Sequence, residues 1–239
     1  MSSGSADGIS PRSILLVMPM KGIGDFILSS PVVKNVRRQW PNASIEAVVR
    51  DKKSLGLSSR ILPVDRYHPW SFDWLRDATR GFVLLGSFRR YGFDIVIDFM
   101  CDHSVSSALF SFLVGAPCTA GFSCSRRKLF FNHLVVPDWS ANHITDDLHR
   151  LASSIGVQCI DRYPSIVIND DELNYARAFL EGRKVRAGMP LVSIHPGARD
   201  DLTKIDKRWH WMRFRALCRQ LVEKACVQIL VLGSHEEKQ

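Results

Sequence analysis

Strand-length apolar runs alternate with helix-like patterns along this chain, and that alternation most constrains its fold. The first run, Ile14–Val17, has the uninterrupted apolar character of a strand buried on both faces. Residues 32–40 then repeat apolar side chains at helical spacing, and Pro41 ends the pattern. Ile45–Val49 and Asp94–Asp98 predict two further strands. Strands separated by helices form parallel sheets covered on both faces, so the pattern predicts an α/β fold.

The alternation continues through the middle of the chain and restarts after a break. The next predicted elements are a helix over 72–91, a helix within 103–125, short strands Cys118–Phe122 and Leu134–Val136, and helices Asn142–Ile155 and Asp171–Leu180. A charged, glycine-containing stretch at 183–190 then indicates a linker. Beyond the linker, a second βαβ unit is predicted from strand Leu191–His195, helix Trp209–Ala225 and strand Val227–Leu232.

These patterns predict the domain organisation. We expect a disordered tail rich in Gly and Ser at 1–13, a parallel-sheet domain at 14–182, the linker at 183–190 and a second domain at 191–239. Only 50 residues run from Pro190 to Gln239, whereas a complete nucleotide-binding domain needs on the order of 100 or more. The second domain is therefore expected to be incomplete.

The charge balance narrows the class of partner. Lys and Arg number 32 against 24 Asp and Glu, giving a formal net charge of +8. This excess suits an anionic partner such as a nucleotide, a phosphorylated glycan or an acidic membrane surface. No basic run is longer than Arg126–Lys128, and no zinc finger or RNA-binding aromatic signature occurs, so we expect no nucleic-acid partner. With 46% hydrophobic and 23% charged residues, disordered and collagen-like chains are excluded.

Cysteine usage and the first residues predict the compartment. The six cysteines form no C-x-x-C pair, and residues 1–13 lack the apolar core of a signal peptide. We therefore expect reduced thiols and a cytoplasmic protein. Residues 103–125 are uncharged but contain Pro117, two glycines and six serines, which indicates a buried helix and a loop instead of a membrane span. Any contact with the inner face of the cytoplasmic membrane is expected to be peripheral and to weaken as salt rises.

A glycine-containing turn follows the first predicted strand. Gly22 and Gly24 let the backbone approach a ligand closely at the positive end of a helix. The fingerprint G-x-G-x-x-G is incomplete because Ile27 stands at its third glycine, although Glu46 could still bind a ribose. Two roles fit Asp25. It caps the helix, or it serves as a general base at the carboxyl edge of the sheet.

A second motif opens the second predicted domain. Ser193–Arg199 follows a strand as a loop of small residues, and Lys207 and Arg208 stand before the next helix. A strand, such a loop and cations near a helix N-terminus are suited to holding a diphosphate. Lys207 would then lie beside the leaving phosphate. The alternative for both cations is a solvated helix start.

Three further groups are candidates for acceptor binding. Asp98 and Asp102 could face an acceptor as paired carboxylates, or Asp98 could cap the following helix. His103 and Ser104 could hydrogen-bond sugar hydroxyls, or form an ordinary polar loop. The run Arg126–Lys128, next to three apolar residues, could meet acceptor phosphates or a membrane, or form a solvated turn.

Taken in order, these segments carry a family resemblance. They are "GIGDFILSSPVVKNVRRQWPNASIEAVV", "DIVIDFMCDHSVSSALFSFLVGAPCTAGF", "NHITDDLHRLASSIGV", "VSIHPGARDDLTKIDKRWHWMRFRALCRQL" and "VQILVLGSHEE". They resemble glycosyltransferase family 9, the heptosyltransferases of lipopolysaccharide core assembly. The most specific parts are the GIGD turn and the HPGA loop spaced against KRW, and the resemblance covers about Ile14–Glu237.

The resemblance implies a GT-B architecture in which two Rossmann-like domains face each other across a cleft. The domain at 14–182 would bind the acceptor, and the domain that begins at 191 would bind the nucleotide sugar. Asp25 matches the family's catalytic base and Lys207 its donor-phosphate lysine, with the backbone of Gly197 and Ala198 beside the same phosphates. The family's later donor motif, which contains glycine and histidine, has no counterpart in this sequence.

The implied reaction is an inverting sugar transfer. Its donor would be ADP-heptose, and its acceptor a lipopolysaccharide-core or related glycan on an anionic glycolipid. No D-x-D triplet occurs in the chain, so neither a metal nor another cofactor is expected.

Two other functions stay open on the sequence. A dinucleotide-binding oxidoreductase would use Gly22, Gly24 and Glu46. The chain lacks a Tyr-x-x-x-Lys pair for hydride chemistry, because no tyrosine has a lysine four residues on. The other alternative is a truncated, catalytically inactive remnant or binding module.

Overall fold

The computed structural model describes residues 10–20, 22–50, 60–102, 104–138, 140–197 and 209–233. The chain forms two compact units, Met1–Val167 and Ile168–Gln239. This division lies upstream of the linker that the sequence predicts at 183–190. The helix at 170–182 thus belongs to the second unit. Of the predicted tail, residues 1–9 lie outside the described residues, and the backbone N–H of Arg12 donates to Asp94.

The first unit is built on one parallel sheet. Its strands are β1 (Ser13–Met18), β2 (Ser44–Val49), β3 (Arg66–Pro69), β4 (Ile95–Asp98), β5 (Cys118–Phe122) and β6 (His133–Val135). They lie side by side in the order β3-β2-β1-β4-β5-β6, and every neighbouring pair is parallel. The helices are α1 (Ile23–Gln39), α2 (Ala78–Tyr91), α3 (Ser106–Val114) and α4 (Ile144–Ser153), with a 3-10 helix at Ser125–Leu129. The predicted α/β class is confirmed.

Two apolar cores cover the two faces of this sheet, as the continuous apolar run at β1 requires. Ile14 and Leu16 point to one face, which α1 and α4 cover with buried side chains such as Val33 and Leu151. Leu15 and Val17 point to the other, against side chains of α2 and α3. Period-two alternation thus divides one strand between two cores, which is typical of a central strand in a parallel sheet.

The structure differs from the predicted element bounds at several places. The edge strand β3 was not predicted, since it is only four residues long and ends in Pro69. α1 begins at Ile23, nine residues earlier than predicted, and continues through Pro31. Pro31 has no N–H for the Ile27 carbonyl, and the Ser30 hydroxyl donates to that carbonyl instead at 2.7 Å. α2 begins at 78 instead of 72.

The second unit comprises α5 (Asp170–Gly182), β7 (Leu191–Ile194), α6 (Trp211–Ala225) and β8 (Gln228–Val231). β7 and β8 pair in parallel, as expected for a βαβ unit. The segment predicted as a linker is attached to β8. The Gln228 side chain accepts from the Arg186 N–H at 2.6 Å and donates to the Arg186 and Met189 carbonyls.

Candidate functional site

The carboxyl edge of the six-stranded sheet is the candidate ligand site. In parallel α/β folds, ligands bind at this edge, at the point where strand order reverses. Here that point lies between β1 and β4, because the order runs outward to β3 on one side and to β6 on the other. The segments that follow β1 and β4 contain most of the predicted substrate residues.

Asp25 lies exposed in the first turn of α1 at this edge. Its N–H donates to the Gly22 carbonyl at 3.2 Å, and its Oδ2 accepts from the Gly22 N–H at 3.3 Å. The capping role considered from the sequence is therefore present. A carboxylate offers about four lone-pair sites, so one accepted N–H leaves capacity to accept a substrate proton. The role of Asp25 as a base stays a prediction.

The two glycines of the turn differ in what surrounds them. A Cβ on Gly22 would lie 3.0 Å from Asp25 Oδ2, so a larger residue would displace that carboxylate. A Cβ on Gly24 would meet no atom of the described chain within 4 Å. Packing within the described chain therefore does not require glycine at 24, and the space beside it is open for a ligand.

A cavity of about 380 Å³ opens among loops that follow the strands at the same edge. Its polar lining side chains are Arg50 after β2, Asp73 after β3, and Ser104, Ser106 and Ser107 after β4. The predicted residue Ser104 is therefore in the cavity wall, whereas Asp25 is not among the lining residues. Arg50 is not among the residues predicted for the site, although it directly follows a predicted strand, as the loop after Asp98 does.

Asp98 does not face this cavity. Its side chain is fully buried, as is that of Arg127, and the Arg127 Nη2 lies 3.1 Å from Asp98 Oδ2. The Met100 N–H donates to Oδ1 at 2.9 Å. Burial raises the pKa of Asp98, while the charge of Arg127 acts in the opposite direction. The geometry does not support direct contact of Asp98 with substrate, nor a solvated turn at Arg127.

Arg127 also holds the loop that follows β4. Its Nη1 donates to the Ser104 carbonyl at 2.5 Å and to the Ser107 hydroxyl at 3.1 Å. The Ser104 N–H donates to Asp102 Oδ1 at 2.7 Å. One buried guanidinium thus connects the end of β4, the cavity wall and the start of α3. His103, predicted as a sugar contact, lies outside the described residues.

Cysteine thiols lie near the site but are poorly suited to nucleophilic chemistry. Burial raises the pKa of Cys101 to about 11, with smaller contributions from Cys124, Asp102 and Asp25. Cys101 therefore stays protonated at neutral pH, and thiolates are the reactive form of cysteine.

The structure does not support Glu46 as the ribose-binding carboxylate of a dinucleotide site. Its side chain is buried in β2, where Oε2 lies 2.6 Å from His68 Nε2 on β3. A ribose-binding carboxylate must reach the carboxyl edge of the sheet. Glu46 is instead three residues before the end of its strand and already has a partner.

The predicted donor site is only partly within the described residues. Gly197 follows β7, and its carbonyl lies 3.0 Å from His195 Nδ1. Ala198 and Lys207 lie outside the described residues. α6 begins at Trp211, later than the predicted start, and the His210 imidazole caps it by accepting from the Met212 N–H. The phosphate-binding roles stay predictions.

The described part of the chain offers neither a metal centre nor a helix that could span a membrane. No three His, Cys, Asp or Glu side chains within the described ranges lie close enough together to hold a metal ion. Among the helices described, none combines the length and apolar character needed to cross a bilayer.

The fold resembles solved glycosyltransferases. A family 9 glycosyl transferase from Veillonella parvula DSM 2008 matches with a TM-score of 0.71 at 18% identity, covering 95% of this chain and 64% of that chain. E. coli ADP-heptose lipopolysaccharide heptosyltransferase II gives 0.66 at 21% identity, covering 94% and 65%. E. coli heptosyltransferase WaaC with ADP gives 0.62 at 19% identity, covering 94% and 68%. The chain thus spans about two thirds of the length of these proteins.

Sequence comparison identifies the family. No curated protein sequence is significantly similar to the chain. The family model for glycosyltransferase family 9 (heptosyltransferase) matches residues 83–239, well over half of the chain. This match includes the loop after β4, Arg127 and the whole second unit. The chain therefore belongs to glycosyltransferase family 9, the heptosyltransferase family.

Proposed function

We propose that this chain transfers a heptose from ADP-heptose to a lipopolysaccharide-core or related glycan acceptor, by an inverting and metal-independent reaction. The observation that carries the proposal is the exposed Asp25 carboxylate, held at the reversal point of a Rossmann-like sheet in a family 9 chain. A heptosyltransferase solved with ADP shares this fold.

The proposed reaction assigns Asp25 the proton of an acceptor hydroxyl. The acceptor oxygen forms a bond to the anomeric carbon of the heptose, while the bond from that carbon to the diphosphate oxygen breaks. Attack opposite the leaving group inverts the anomeric configuration. The departing ADP takes the electron pair, and Lys207 with the Gly197 and Ala198 amides would stabilise its charge.

The cavity at the carboxyl edge supports a glycan acceptor. Arg50 offers a guanidinium that suits an anionic sugar, and Ser104, Ser106 and Asp73 offer hydroxyl and carboxylate groups. Polar side chains that accept and donate hydrogen bonds are what recognition of sugar hydroxyls requires. The acceptor would thus lie on the first unit, as the family resemblance predicts.

The test is product analysis with the chain itself. The protein is incubated with ADP-heptose and a lipopolysaccharide-core glycan in the presence of a chelator, and ADP and the glycoside are followed. We expect one ADP released for each heptose transferred, with the anomeric configuration opposite to that of the donor. A product that keeps the donor configuration would contradict the mechanism. Absence of transfer to core glycans would contradict the activity proposed for this chain.

A further inference from the structure

Four elements of the first unit combine exposed cations with exposed apolar side chains and contain no acidic residue. Residues 78–93 and 103–137 contain no Asp or Glu, and the positions that bound these two stretches are Asp77, Asp94, Asp102 and Asp138. Besides the buried strand β5, these stretches form four elements, which are α2, α3, the 3-10 helix and β6. Their exposed cations are Arg80, Arg89, Arg90, Arg126 and Lys128. We call the surface formed by these four elements the basic-apolar face.

Large apolar side chains on the same face are left in solvent. They are Phe82, Val83, Phe112, Leu129 and Leu134, which are between 42% and 71% exposed. Single exposed apolar residues need no explanation, but several on one face mark an interaction surface. Leu129 is the most exposed of them and stands directly beside Lys128.

Direct contacts join α2, α3 and the 3-10 helix into one surface. Arg89 Nη1 on α2 donates to the Leu113 carbonyl on α3 at 2.9 Å. Phe112 on α3 packs against Phe130, just after the 3-10 helix, with ring centroids 5.9 Å apart. A cavity of about 490 Å³ lies between these elements, lined by Arg89, Phe112, Leu129 and Phe130 among others. Among the described residues that line the cavity, Arg89 is the one that carries a charge.

We propose that the basic-apolar face binds the surface of an anionic lipid bilayer. The cations attract anionic headgroups, while side chains such as Leu129 and Phe112 enter the boundary between headgroups and acyl chains. A soluble anion would not explain the exposed apolar side chains. A purely apolar protein partner would not explain why acids are absent. The inference does not depend on the catalytic role of Asp25.

The buried position of Arg127 shows which cations of the basic run are available to a membrane. Of the basic run at 126–128, Arg127 turns inward to Asp98, whereas Arg126 and Lys128 stay exposed on either side. The 3-10 helix is therefore fixed to the sheet through Arg127 while its two other cations project outward. Pre-positioned cations lose less conformational freedom on binding than cations on a free loop.

The test is cosedimentation with vesicles of phosphatidylcholine alone or with one fifth phosphatidylglycerol. We expect partitioning onto the anionic vesicles only, decreasing as salt rises. Arg126→Gln with Lys128→Gln should lower the partitioning onto anionic vesicles about 25-fold at low salt, at about fivefold for each cation. At high salt the charges are screened, and the remaining partitioning depends on the apolar side chains. Leu129→Ser should therefore lower partitioning at high salt as well.

Matched controls remove the same groups elsewhere. Arg162→Gln with Arg177→Gln removes two exposed cations, and Ile160→Ser replaces an apolar side chain that is 63% exposed. These controls should change partitioning less than twofold. Equal losses in the control and face variants, or equal binding to neutral vesicles, would overturn the proposal. So would conversion of a dimer to a monomer by Leu129→Ser without a change in vesicle binding, since the face would then pair two copies.

Discussion

At the residue scale, the buried pair of Asp98 and Arg127 is the largest departure from what the sequence led us to expect. Both side chains are fully buried, and the guanidinium also holds the loop of Ser104 and Ser107. From the sequence we expect Asp98 to face an acceptor or to cap a helix, and Arg127 to meet acceptor phosphates or a membrane or to lie in a solvated turn. Full burial of both is unusual for charged residues. The pairing could not be read from the chain, since 28 intervening residues separate them and only the fold brings them together.

Removing one partner of this pair should destabilise the first unit strongly. We expect Arg127→Met to lower the free energy of unfolding by about 3 to 5 kcal/mol, because it leaves an unpaired buried carboxylate. Arg126→Met, at the exposed neighbouring position, should change it by less than about 0.5 kcal/mol. Urea unfolding of both variants measures the difference. Equal midpoints for the two variants would contradict the buried pair.

Substitution of Gly24 tests whether a ligand approaches the backbone at this turn, because packing within the described chain does not require glycine there. Gly24→Ala should keep or slightly raise stability, since its Cβ meets no described atom and Ala favours helix. If the acceptor approaches this backbone, kcat/KM for transfer should fall at least tenfold. Gly86→Ala is the matched control, because its Cβ on α2 also meets no described atom. A Gly24→Ala enzyme as active as the Gly86→Ala enzyme would exclude close approach at this turn.

At the element scale, the sequence predicted the central strands and most helices because their apolar periodicity is strong. The short strand β3 and the start of α1 are harder to predict from the sequence. α1 continues across Pro31, and the Ser30 hydroxyl supplies the donor to the Ile27 carbonyl that Pro31 lacks. The charge of the segment at 183–190 predicts a linker, and in the structure its backbone forms hydrogen bonds with one distant side chain, that of Gln228. Local pattern does not encode such a partner.

The start of β1 should be sensitive to acid. Burial raises the pKa of Asp94, but hydrogen bonds from the N–H groups of Arg12 and Ser13 and from the Ser13 hydroxyl outweigh it, and the net pKa is lowered. A lowered folded-state pKa contributes stability that is present above the unfolded value, near 3.8, and is lost as pH falls through the folded value.

Asp94→Asn should therefore reduce stability at pH 7 more than at pH 3. Urea unfolding of wild type and variant at the two pH values gives the comparison. Because Asn cannot ionise, the stability difference between the two proteins should shrink as pH falls. A difference that is the same at both pH values would show that the Asp94 charge does not anchor the start of β1.

At the scale of the whole molecule, the two units differ in how much surface they bury. The first unit has two extensive cores, whereas α5 and α6 contain no buried residue. Among the residues described beyond 167, Val227 is the single buried apolar residue. A two-stranded sheet has little stability of its own in water. We therefore expect amide hydrogen exchange to be faster in β7 and β8 than in β1 and β4 by at least tenfold. Equal protection would contradict this view of the second unit.

The most direct test of the central claim compares two aspartates at the same helical position. Asp25 and Asp146 each occupy the first turn of a helix, and each N–H donates to a carbonyl three residues before it. Asp25→Asn should lower kcat for heptose transfer by about 10² or more, as loss of a general base does, while Asp146→Asn keeps wild-type turnover. Both variants should unfold at the wild-type urea midpoint within error. Wild-type turnover in the Asp25→Asn protein would contradict the assignment of Asp25 as the base.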